Sequence, residues 1–165
     1  NPCAGELMLM RTYAEDIVHM LDCAGWGAFL DEGELDEVSY YVSAYRGNRG
    51  DVLFSQGDDG SHAWLLAFGC VEVTARSQHG RIVRVDQLQT GETVGEQALL
   101  DGQLRSADAR VLSDDAILLL LTREDFDRLS FRRPRLALDV VKSLAGQLSI
   151  RLRKATQSMT GLRSI

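Results

Sequence analysis

A chain of 165 residues, 45% hydrophobic and 25% charged, has the size and make-up of one soluble globular domain, and no apolar run reaches the ~20 residues a bilayer span requires. Its net charge of −6 argues against nucleic-acid binding over most of the surface. Three widely spaced cysteines (Cys3, Cys23 and Cys70) suit neither a disulfide framework nor a zinc or iron–sulfur site, and they fit a reducing cytoplasm.

The first residues, NPCAGELMLM, show no positive stretch leading into an apolar one, so no signal peptide is expected. They also lack a starting Met, which reads as a fragment carrying some tag-derived residues. Residues 6–45 then carry helical spacing, with Leu7, Met10, Ile17, Met20 and Leu21 recurring at three- and four-residue steps. GELDEVSYYV offers a second short helix, after a break at CAGWGAFLDEG. We assign residues 1–25 to an N-terminal helical extension.

The pattern changes at residue 47. Nine glycines between Gly47 and Gly102 separate short β-type runs: DVLFS, AWLLAF, CVEVTAR, RIVRVDQL, ADARVL and AILLLL. Alternation in VEVTA and RIVRV, with turn chemistry in GDDGSH and SQHG, predicts an antiparallel sandwich or barrel, of which the jelly roll is one form. The expected fold class is α+β: a β roll over 26–130, N-terminal helices, and a long C-terminal helix within 131–165.

TREDFDRL reopens helix with Thr122 as N-cap and Asp125 as its partner three residues on. Pro134 sits where a first helical turn tolerates it. Apolar residues at 136, 140, 141, 144, 148 and 152 form one stripe up to Gly161, more than a single β domain needs. This predicts a coiled-coil pairing with a second copy. Residues 1–130 hold 23 acids and 10 bases, whereas 131–165 hold one acid and eight bases. With no aromatic interleaving, the basic tail reads as a solvated face or one meeting the acidic body; neither nucleic acid nor membrane is expected as a partner.

The chemistry concentrates in GETVGEQALLDGQLRSA, residues 91–107, where we read a strand, QLQTGETV (87–94), running into a short helix. Free N–H groups near Gln97 and Ala98, with Arg105 returning after DGQL, compose a phosphate cradle, since guanidinium offers planar paired donors at constant charge. Glu96 is a pure acceptor and suits a sugar hydroxyl. On these residues alone, a Glu96–Arg105 salt bridge that merely closes the loop is an equal alternative.

VGEQALLDGQLRSA resembles the phosphate-binding cassette of the cyclic nucleotide-binding domain family, F-G-E-x-A-L-L followed by P-R-x-A. GDVLFSQGDDGSHAWLLAFGCVEV, FLDEGELDEV and LTREDFDRL are also similar, so the resemblance spans roughly residues 26–155. It implies a β roll whose ligand is cAMP or cGMP, with no other cofactor and no metal. It further implies that Glu96 takes the ribose 2′-hydroxyl and Arg105 the cyclic phosphate. Gly95, Gln97 and Ala98 would supply backbone, Ser106 its hydroxyl or amide, and Ala107 close packing. By rough alignment from Pro134, Arg151 and Leu152 are the expected base contacts. Ser106 favours cAMP, because Thr at that place favours cGMP in kinases. Val94 and Leu104 depart from the usual Phe and Pro. The sequence ends at Ile165 without the helix-turn-helix of the family's transcription factors, so the expected output lies in a fused or separate module, reached through a homodimer.

Other readings are a degenerate domain serving only dimerisation or interaction, and a domain sensing a different effector such as a cyclic dinucleotide. A metal-dependent enzyme is disfavoured because His19, His62 and His79 stand alone, and no nucleophile motif occurs.

Overall fold

The computed structural model describes residues 6–161. Its elements are β1 (Met8–Leu9), α1 (Ala14–Cys23), a 3₁₀ turn at Trp26–Ala28, α2 (Glu32–Ser39), β2 (Ser43–Asn48), β3 (Val52–Phe54), β4 (His62–Phe68), β5 (Cys70–Arg76), β6 (Ile82–Gln89), β7 (Thr93–Val94), α3 (Glu96–Asp101), β8 (Asp108–Val111), β9 (Asp115–Thr122), α4 (Arg123–Arg132) and α5 (Pro134–Thr160). Two antiparallel sheets, ordered β1-β2-β9-β4-β7 and β3-β8-β5-β6, compose the roll.

The expected α+β roll is therefore present, with two local corrections. Helical spacing does not hold across 6–45: Met8 and Leu9 pair with Arg46 and Tyr45 as an edge strand, and Ser43–Asn48 extends along β9. The pairing explains Gly47, where a Cβ would sit 2.8 Å from Leu7 and 3.0 Å from Val111. QLQTGETV is not one strand either. It turns at Gly91, φ +93°, where Glu92 Oε2 accepts the Gln89 amide at 2.8 Å, so β6 and β7 enter different sheets. The same turn recurs at Gly57–Asp58, where Asp58 Oδ2 accepts the Ser55 amide at 2.9 Å.

Strands β2, β4 and β9 of the first sheet present alternate residues to two cores. Between the sheets lie Leu53, Phe54, Trp64, Leu66, Val71, Leu88, Val94, Ala109, Val111, Ala116 and Leu118. On the other face, Ala44, Leu65, Leu119 and Leu121 pack with helical residues that include Ile17, Leu21, Leu35, Leu129, Leu136, Val140 and Leu144. Ile17 and Leu21 make α1 a packed part of this helical layer.

Capping positions α4 and α5. Thr122 Oγ1 accepts the Asp125 amide at 3.1 Å, Pro134 opens α5, and Gly161 closes it in the left-handed region at φ +67°. Along α5 the stripe is buried at Leu136, Val140 and Leu144, half-buried at Leu148, and exposed at Leu152. The helix thus runs past the body it packs on.

Candidate functional site

The turn from β7 into α3 delivers Glu96 to the interior. Gly95 makes this possible: its φ is +85°, and a Cβ there would lie 2.5 Å from Arg105 Nη1 and 3.0 Å from Phe54. Glu96 is 1% exposed and Arg105 4% exposed. Arg105 arrives from the loop after α3, whose backbone is zipped to the Ser55–Gly60 turn. Its amide donates to Asp58 O and its carbonyl accepts from the Gly57 amide, both at 2.8 Å.

The two charges do not pair with each other. Arg105 Nη1 donates to Gly95 O at 2.7 Å, Nη2 donates to His62 O, and the guanidinium lies 4.1 Å over the Phe54 ring. Glu96 Oε1 instead accepts from Arg151 Nη1 of α5. This removes the loop-closing salt bridge that the sequence allowed. It also leaves Glu96 Oε2 and Arg105 Nε buried with no hydrogen-bond partner. Such atoms carry an unmet desolvation penalty, which a ligand can relieve.

Burial raises the Glu96 carboxyl above its usual range, and the charge of Arg151 pulls it partly back. Burial likewise lowers Arg105, with Asp58 and then Glu96 opposing. His62, on β4 beside Arg105, is lowered first by burial and then by the Arg105 charge.

Arg151 belongs to a polar cluster that bolts α5 to the turn. Its Nη2 donates to Thr93 O, and its Nε lies 3.9 Å from Asp86 Oδ2 on β6. One helical turn earlier, Gln147 Oε1 accepts from the Thr93 amide at 2.8 Å and the Thr93 hydroxyl at 3.0 Å. Its Nε2 donates to Gly91 O at 3.3 Å. Gln147 escaped sequence reasoning, although the i, i+4 spacing of Gln147 and Arg151 marks one helix face.

The remaining expected residues divide. Gly95 and Ala98 are enclosed with Glu96 and Arg105, and Ala107 is buried at the base of β8. Gln97 and Ser106 face solvent. Arg151 is brought onto Glu96, whereas Leu152, 68% exposed, points away from the body. No group of three or more His, Cys, Asp or Glu able to hold a metal occurs among the described residues.

Residues 47–133, slightly over half the chain, match the family described as "Cyclic nucleotide-binding domain". The chain belongs to that family. The matched segment contains Gly95–Ala107 and ends at the α4–α5 junction. This cyclic nucleotide-binding domain is 37% identical over 122 residues to the cyclic AMP receptor protein of Thermus thermophilus, covering 74% of this chain and 54% of that protein. It is 34% identical over 122 residues to human cGMP-dependent protein kinase 2, covering 73% of this chain and 14% of the kinase. The chain thus spans half the length, or much less, of these relatives. In fold it is similar to a cyclic nucleotide-binding domain from Methylobacillus flagellatus KT, with a TM-score of 0.85 at 20% identity over 96% of this chain and 90% of that one. Among the described residues, no helix is long and apolar enough to cross a membrane.

Proposed function

We propose that this domain binds a cyclic nucleotide, cAMP in preference to cGMP, and converts binding into a rearrangement of α4 and α5 that a fused or separate effector module reads. One observation carries the reading. Two oppositely charged side chains are buried side by side, unpaired with each other, and each keeps an unused hydrogen-bonding atom. A ribose-phosphate supplies both missing partners at once. Its 2′-hydroxyl donates to Glu96 Oε2 while Oε1 keeps Arg151, and its phosphate oxygens accept from Arg105.

In this reading Ser106 adds its hydroxyl or amide to the phosphate, Gly95, Gln97 and Ala98 line the sugar-phosphate with backbone, and Ala107 packs beneath. Arg151, which donates to the ribose acceptor Glu96, and Leu152 meet the base. Phosphate binding withdraws Arg105 from Gly95 O and His62 O, which reorders the cassette. The shift then reaches α5 through Arg151 and Gln147. Ser106 rather than Thr supports cAMP, and the exposed Leu152 and Met159, seven residues apart on one face of α5, support a homodimer through that helix.

Calorimetric titration with cAMP and cGMP tests this. Arg105→Leu is expected to lower affinity at least about tenfold while the domain stays folded, because a charge-assisted contact contributes roughly 1.5–3 kcal/mol. Absence of heat with both nucleotides on the wild type, or unchanged affinity in the variant, sinks the reading.

A further inference from the structure

The polar groups around Glu96 and Arg105 leave one arginine unassigned. Arg123 is the first residue of α4, and its amide donates to Ser61 O at 2.8 Å. Its side chain is half-buried and turns toward the cassette instead of solvent. Nη2 donates to Ala98 O at 2.7 Å and reaches Gly60 O at 3.4 Å. The guanidinium lies over Gly102, the left-handed residue (φ +70°) that ends α3, close enough that a Cβ there would sit 3.4 Å from Nη1. Ala98 O already accepts from the Gly102 amide at 2.9 Å, so Arg123 supplies a second, charged donor where helix carbonyls concentrate negative potential.

The two carbonyls belong to different segments. Ala98 lies two residues after Glu96. Gly60 closes the turn whose Gly57 amide and Asp58 carbonyl hold the backbone of Arg105. One guanidinium therefore grips both segments that carry the binding pair, from the first residue of the helix that precedes α5.

We propose that Arg123 is a positioning residue that locks the Glu96 and Arg105 segments together and couples their order to α4. The link stands apart from the apolar contact of the cassette, where Leu99 joins the helical core and Phe126 packs against that core. Leu99 resists separation in any direction, but a hydrogen bond to Ala98 O is lost when α3 rotates. Arg123 therefore makes the orientation of α3, not merely its burial, visible to α4. The nucleotide-dependent half of this inference rests on the function proposed above; the structural half does not.

Hydrogen exchange on the full chain, without nucleotide and then with saturating cAMP or cGMP, tests both halves. Without nucleotide, Arg123→Ala is expected to speed exchange of amides in 97–103 and 123–132 together by about tenfold. Arg123→Gln, which keeps N–H donors but no charge, is expected to fall between Ala and wild type, and it serves alone if the Ala variant does not fold. Exchange unchanged in 97–103 overturns the positioning role. With nucleotide, protection of 95–107 is expected to survive in both variants while the response of 134–150 is reduced. A response of 134–150 equal to that of wild type overturns the coupling. If neither nucleotide alters exchange in the wild-type protein, the nucleotide reading fails, and the nucleotide-free comparison still decides the role of Arg123.

Discussion

The two cores on either side of the first sheet differ in what they hold together. The inter-sheet core joins the two sheets, from Leu53 of β3 to Leu118 of β9, and includes Phe54, the ring under Arg105, and Val94, the residue before Gly95. The helical core joins both ends of the described chain, from Ile17 to Leu144, and includes Leu99 from the cassette helix. The cassette straddles them. Its charged end is seated on the roll, and its apolar end is seated among helices. A ligand that shifts one end must therefore strain the other, whereas a site built within one core could bind without consequence for the rest.

Core truncation is expected to break this arrangement most strongly. Leu118→Ala, in the inter-sheet core, should cost about 2–5 kcal/mol and weaken the whole domain. Leu144→Ala should cost toward the low end of that range, loosening α5 first, because only helices and one sheet face lean on it. Chemical denaturation with exchange read separately over 134–150 distinguishes the two; equal global loss would mean a single cooperative core.

Next in size is the hinge between the cores. Gly95→Ala should cost about 1–3 kcal/mol and displace Arg105, since the left-handed backbone and the Arg105 and Phe54 contacts both oppose a methyl. A melting curve and the nucleotide titration read the two effects.

Arg151→Ala addresses the bolt between α5 and the cassette. Removing the cation leaves Glu96 buried without its partner, so its carboxyl rises further. The expected loss is about 1–3 kcal/mol at neutral pH. Glu96 is already raised in the wild-type fold, so its ionised form is a burden at neutral pH that eases as pH falls through its folded value toward 4.5. The deficit of Arg151→Ala should therefore shrink on acidification. Denaturation at neutral and mildly acidic pH checks the sign, and a deficit that grows with acid contradicts it.

The smallest expected effect is at His62. Its folded value lies below 6.5, so the neutral ring contributes stability that is present above 6.5 and lost as pH falls through the lowered value. Part of that lowering comes from the Arg105 charge. A bound phosphate that neutralises Arg105 should move His62 upward, a change visible in ring proton shifts across a pH series. A His62 titration indifferent to cyclic nucleotide would detach Arg105 from phosphate binding.

Much of the fold was legible because it rests on local chemistry. Thr122 with Asp125, Pro134, Gly161 and the glycine-marked turns each specify a chain reversal or a helix end within a few residues. β1 and β2 were not legible, because two- and six-residue segments carry little periodicity; β2 draws its definition from β9 across the sheet, and the edge strand β1 draws its own from β2. The break inside QLQTGETV was missed because its residues suit a strand on both sides of Gly91.

At the site, residues 91–107 alone determined that an acceptor and a guanidinium stand nine positions apart on either side of a short helix; the fold buried both. Spacing cannot decide whether opposite charges pair with each other or with something else, because that depends on which third charge the fold delivers. Tertiary structure brought Arg151 to Glu96 from 55 residues away and turned Arg105 onto backbone carbonyls. It also placed Arg123 on Ala98. Local sequence wrote the donors and acceptors; long-range packing chose their partners, because burial makes each unpaired choice costly.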